Sequence, residues 1–170
     1  MYFCFGYSSV EKVTFPENGF KTIPRDMFAE SKIKDIDLTG VEKICMDAFD
    51  NCTNLETANL LSCTVIESSA FSGSGIKSVN APLWVPEKQT IIETLTYPDF
   101  VFANCKNLET ANLPLVEFIP ESTFKGCENL KTVSAPKATY AKDYAFSGCS
   151  SLETVDMPLK YAYKYSFEGC

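Results

Sequence analysis

An apolar skeleton returns along this chain about every 22 residues, and no other feature limits its folding as strongly. The unit is plainest from Leu108 to Asn129. A unit this small cannot bury its own apolar face and must bury it against its neighbours, which is how a solenoid holds together. Each unit starts on an aliphatic residue, at Val10, Ile33, Leu55, Ile76, Leu108, Leu130 and Leu152. Small or aliphatic residues hold the fourth and sixth places, Pro often holds the seventh, and the unit ends on Phe28, Phe49, Phe71, Phe102, Phe124, Phe146 or Phe167. Phe5 fits as the end of an eighth unit whose beginning is missing.

The apolar places one, four and six of Leu108-Glu-Thr-Ala-Asn-Leu predict a short strand whose places three and five point away from the core. Seven such strands would form a parallel sheet. Pro16, Pro82, Pro114, Pro136 and Pro158 then stop the strand, because Pro cannot donate to a ladder; Thr39 and Leu61 stand in its place in two units. The middle of the unit, as in Val116 to Ile119 or Val41 to Ile44, fits a second, shorter extended segment. The last part, Pro120 to Cys127, reads as one helical turn that plants the Phe inward, followed by a corner where Gly126, Gly148 or Gly169 takes a positive φ.

The fourth unit carries an insertion near 84–96, with the chain's only Trp (Trp84) and the apolar Ile91 and Ile92. Insertions in solenoids map to loops on one face, so this segment either folds back over its own unit or contacts a partner. With 45% hydrophobic and 13% aromatic residues the chain can cover a continuous core, and 170 residues fit one domain. A net charge of −7 opposes binding to nucleic acid or to an anionic membrane. No window is long and apolar enough to span a membrane, and Met1 to Gly6 lacks the features of a secretory signal.

Ala48-Phe-Asp-Asn-Cys-Thr-Asn-Leu55, Phe102-Ala-Asn-Cys-Lys-Asn-Leu108 and Ala145-Phe-Ser-Gly-Cys-Ser-Ser-Leu152 carry a motif that resembles the BspA-like, treponemal-type leucine-rich repeat. The resemblance spans essentially the whole chain. It implies an α/β repeat fold: a right-handed leucine-rich-repeat solenoid with a parallel β-sheet on one face and short helical turns and loops on the other. It also implies a surface or secreted protein, several family members being adhesins for host matrix or other cells, with no catalytic residues and no cofactor. The family's usual Gly after the mid-unit Ile is replaced here by Cys45, Glu67 and Pro120, and Ala141 and Ala162 stand where Ile is expected.

Cys52, Cys105, Cys127, Cys149 and Cys170 share one repeat place, which Ser8, Ser31 and Ser74 hold in other units. Strand spacing of about 5 Å would let neighbouring thiols reach disulfide geometry, yet exchange with Ser favours a small buried thiol that bonds a neighbouring turn. The absence of His removes the nucleophile–His pair, and the spacing of the Cys residues argues against zinc. Glu56, Glu109 and Glu153 form a periodic row that reads as a solvated edge, with no pair of carboxyls singled out for glycoside chemistry.

The outward strand places, Lys12 and Thr14 through Thr154 and Asp156, are small and polar; Asp35 and Asp37 alone are too few oxygens for Ca²⁺. Tyr140, Tyr144, Tyr161, Tyr163 and Tyr165 crowd the last two units and either supply adhesive area or fill the space beside Ala141 and Ala162. The candidate partner contacts are thus Trp84, Ile91, Ile92, Tyr163 and Tyr165. The expectation is a non-catalytic binding module of a cell-surface or secreted adhesin-like protein whose partner is a host-matrix or cell-surface protein. A structural spacer is the alternative, and a carbohydrate-active enzyme a distant third. The chain is expected to be one repeat domain of seven to eight units over 1–170, cut from a longer array and open to weak end-to-end self-association.

Overall fold

The computed structural model describes residues 4–15, 19–86 and 99–170. Among the described residues eleven strands of two or three residues form: β1 (Lys12–Val13), β2 (Thr22–Ile23), β3 (Asp35–Ile36), β4 (Lys43–Ile44), β5 (Val65–Ile66), β6 (Ser78–Asn80), β7 (Thr110–Asn112), β8 (Thr132–Ser134), β9 (Tyr140–Ala141), β10 (Thr154–Asp156) and β11 (Tyr161–Ala162). All pairings are parallel and join equivalent places of successive units. Strands from the start of the unit pair as β1-β3 and as β6-β7-β8-β10. Strands from its middle pair as β2-β4-β5 and β9-β11, with Ile119 bridged to Ala141 between them. The mid-unit apolar residues therefore do form a second extended segment, and the chain winds as a parallel-strand solenoid.

Six of the seven expected first-face strands are assigned; Thr57 to Asn59 is not. Here the Asn59 carboxamide turns back, accepting from the Leu61 N–H at 3.2 Å and donating to the Thr39 hydroxyl at 3.3 Å. One unit earlier the Asp37 carboxylate accepts from the Thr39 N–H at 2.8 Å. These are the two units without the stopping Pro, and a side-chain turn supplies the stop that Pro provides elsewhere.

The expected helical turn before each Phe is not formed: no helix occurs among the described residues. The backbone angles give the reason. The residue two before the Phe has a positive φ in every described unit, at Asp26, Asp47, Ser69, Phe100, Ser122, Tyr144 and Tyr165, and so does the residue two after it, from Tyr7 and Glu30 through Asn51 and Asn104 to Gly126, Gly148 and Gly169. A left-handed residue cannot continue a right-handed turn. The hydrogen bonds alternate accordingly. Cys52 N–H bonds locally to Phe49 C=O at 3.2 Å, while Phe49 N–H reaches Ala70 C=O in the next unit at 2.8 Å. The corner is thus a third ladder between units, which satisfies the buried backbone without a helix.

Inward side chains form one core. Its spine is a stack of Phe rings from Phe5 through Phe28, Phe49, Phe71, Phe102, Phe124 and Phe146 to Phe167, with successive centroids 5.0 to 5.8 Å apart and interplanar angles of 4° to 19°. The winding sets that spacing, since strands stack about 4.8 Å apart and equivalent side chains must follow. Near-parallel rings at these centroid distances fall in the range of offset stacking, which suits aromatic quadrupoles.

Candidate interaction surface

The ladder residues are the scaffold. Phe28, Phe49, Phe71, Phe102, Phe124 and Phe146 are fully buried and Phe167 partly so. Beside them each thiol of the Cys row donates to the C=O of the preceding unit's Phe: Cys52 to Phe28 at 3.0 Å, Cys105 to Phe71 at 3.0 Å, Cys127 to Phe102 at 3.1 Å and Cys149 to Phe124 at 3.1 Å. Ser31 and Ser74 continue the row, their hydroxyls lying 3.7 Å from Cys52 Sγ and 3.4 Å from Cys105 Sγ. All eight Cys are free thiols. Burial pushes Cys52 up to about 11 and Cys63, Cys105 and Cys149 up to about 12, so these sulfurs stay protonated and are poor nucleophiles or metal ligands.

The first sheet shows solvent a small polar face. Ser78, Thr110, Thr132 and Thr154 form one row, and Asn80, Asn112, Ser134 and Asp156 another. Asn112 donates to Asn80 at 2.9 Å. The row of Glu56, Glu109 and Glu153 is exposed, and opposite charges interleave it: Lys34 pairs with Glu11 at 2.9 Å, Lys77 with Glu56 at 2.6 Å and Lys131 with Glu109 at 3.0 Å. Place two thus alternates in sign along the rod, which removes the repulsion that stacking like charges about 5 Å apart would create. The periodicity shows only when the units without Glu are read as well.

Asp35 pairs with Lys12 at 3.2 Å, and hydrogen bonds from Thr39 hold Asp37 below the usual carboxylate range. No group of three or more potential metal ligands lies together among the described residues.

Trp84 does not serve as an exposed contact. It is 1% exposed and stands edge-on to Phe102, with centroids 5.9 Å apart, so the start of the insertion fills the core. The rest of the insertion, including Ile91 and Ile92, lies outside the described residues.

Tyr163 and Tyr165 are 55% and 47% exposed, and Tyr161, which the candidate contacts omitted, is 68% exposed. They belong to an aromatic surface on the second strand face. The place held by Thr22, Lys43 and Val65 in early units becomes Phe118, Tyr140 and Tyr161 in later ones. Phe118 stacks on Tyr140 at 5.2 Å, Tyr163 meets Tyr140 edge-on at 5.9 Å, and Tyr144 lies 5.3 Å from Tyr165. Lys142 Nζ sits over Phe118, Lys125 Nζ over Tyr144 and Lys164 Nζ over Tyr165, each about 5 Å from the ring centre. The Tyr rings therefore lie on the outer surface rather than filling the core beside Ala141 and Ala162; Ala141 is itself fully buried.

No helix among the described residues is long and apolar enough to cross a membrane. None of the curated proteins matches the chain. The solenoid resembles the crystal structure of a leucine-rich repeat protein from Bacteroides ovatus, with a TM-score of 0.75 and 25% sequence identity over 88% of this chain. The chain spans only 38% of that protein's length. The family model for the BspA type leucine-rich repeat region matches residues 1–97 and 95–170, in six copies. Repeats of this family are generally interaction or surface modules. With the match running from end to end, the chain belongs to the BspA-type leucine-rich repeat family.

Proposed function

We propose that the chain is a non-catalytic binding module of a cell-surface or secreted adhesin-like protein and that it engages a host-matrix or cell-surface protein. The observation that carries this reading is the aromatic cluster on the second strand face, where Phe118 stacks on Tyr140, Tyr163 meets Tyr140 edge-on and Tyr144 contacts Tyr165. Tyr supplies large amphipathic contact area at low entropic cost and is enriched where proteins bind. Family membership supports the same class of role, though fold alone does not fix function.

The small polar strand face and the neutralised charge row support the second reading, a spacer whose repeats extend a longer protein while another region binds. Adhesion separates the two. Beads coated with the chain should adhere to surfaces carrying mucus or extracellular-matrix protein, and the Tyr163→Ser, Tyr165→Ser variant should reduce that adhesion. A spacer would leave coated and bare beads alike.

A further inference from the structure

Cations are handled differently before and after Phe124. In the earlier units nearly every basic group pairs with a carboxylate of an adjacent unit: Lys12 with Asp35, Lys21 with Glu42, Arg25 with Asp47, Lys34 with Glu11, Lys43 with Glu67 and Lys77 with Glu56. Lys106 and Lys131 follow the same rule. Among the described residues Lys32, Lys125, Lys137, Lys160 and Lys164 have no carboxylate at ion-pair distance, and of the three with a unit on either side, Lys125 and Lys137 lie beyond Phe124. That is where the aromatic surface sits. Lys125 and Lys164 lie over Tyr144 and Tyr165, and the two rings are themselves in contact, so an aromatic pair lies between two ammonium groups that have no carboxylate at ion-pair distance.

We infer that this Tyr–Lys surface docks an acidic protein segment, whose carboxylates pair with Lys125 and Lys164 and whose apolar side chains cover Tyr161 and Tyr163. The inference rests on the reading of the chain as a binding module and names the partner's chemistry. A cation held over a ring keeps its free side toward solvent and is already placed, so an arriving carboxylate gains an ion pair at low ordering cost. Single ammonium groups set apart by rings match dispersed Asp and Glu better than densely charged sulfates, and Tyr with flanking cations is the composition of protein contact sites.

The test is fluorescence anisotropy of the 170-residue chain with three labelled probes: a Glu–Tyr copolymer, poly-L-glutamate and polygalacturonate. The copolymer should bind most tightly and weaken as salt rises. Combining Lys125→Glu with Lys164→Glu should weaken it at least about tenfold, as should Tyr161→Ser with Tyr163→Ser, while Lys32→Glu, at an unpaired lysine outside the surface, should change nothing. Circular dichroism of each variant confirms the fold. Absence of copolymer binding, an equal effect of Lys32→Glu, or tighter binding of polygalacturonate would each overturn the inference, the last by making the site one for acidic glycans. Bead adhesion that survives the Lys125→Glu, Lys164→Glu variant would sink this inference while leaving the binding-module reading intact.

Discussion

Replacing Phe124 by Ala removes the middle of the stack and should destabilise the protein by about 3–5 kcal/mol. The ring is fully buried between Phe102 at 5.8 Å and Phe146 at 5.5 Å. Its loss forfeits the transfer energy of the ring and two aromatic contacts, each worth about 0.5–1.5 kcal/mol beyond burial, and leaves two ring faces uncovered. The cavity cannot close easily. Phe124 N–H is tied to Ala145 at 2.8 Å, and Phe124 C=O accepts from Cys127 N–H and from Cys149 Sγ at 3.1 Å, so the backbone is pinned on both sides. Phe124→Leu, which refills part of the volume, should cost only about 1–2 kcal/mol. Urea unfolding followed by circular dichroism gives both values. A loss below about 1 kcal/mol for the Ala variant, or an equal loss for Leu, would refute the claim that the stack is the core.

Further consequences follow from the corners and the thiols. Gly126→Ala should cost more than Gly148→Ala: both have positive φ, but a Cβ at 126 would lie 2.5 Å from Asn104 Oδ1, whereas one at 148 meets nothing nearer than 3.6 Å. Thermal unfolding of the pair decides it. Native alkylation near pH 8 should label the exposed Cys4 and Cys170 first and leave Cys52, Cys63, Cys105, Cys127 and Cys149 unmodified until denaturant is added. Mass spectrometry that found several disulfide pairs would contradict the free-thiol row. Because burial raises the folded pKa of these thiols, the folded state binds more protons, so stability is fully present below the unfolded value near 9 and is lost as pH rises towards about 12. Urea titrations from pH 8 to 11 should show that decline, and the Cys105→Ser, Cys149→Ser variant should flatten it; equal slopes would refute the thiol origin.

Much of this architecture was legible because a solenoid repeats its physics. The inward Phe and the outward Thr and Asn places recur at fixed spacing, so a period read from Leu108 to Asn129 located both sheet faces. The corner was misread because its deciding feature is a positive φ two places before the Phe. Asp26 and Asp47 suit that conformation, but Tyr144, Tyr165 and Phe100 adopt it too and carry no sequence signal for it. The neighbours' hydrogen bonds impose it. For Trp84 the sequence leaves two readings, a partner contact or a fold back over its own unit, and only the space beside Phe102 decides for the core. The Tyr–Lys surface was half visible. Crowding of Tyr stood out, but the lysines over the rings and the missing carboxylates appear only when units are stacked.

Continuity of the stack across the insertion is the central claim, and amide hydrogen exchange measured by NMR tests it most directly. Phe49, Phe71, Phe102, Phe124 and Phe146 each donate a backbone hydrogen bond to the following unit at 2.7 to 3.0 Å. In a single continuous solenoid these amides exchange together, among the slowest in the chain, on both sides of the insertion. Phe49 and Phe71 exchanging as one group and Phe102, Phe124 and Phe146 as another, with different free energies of opening, would show two separate stacks and contradict it.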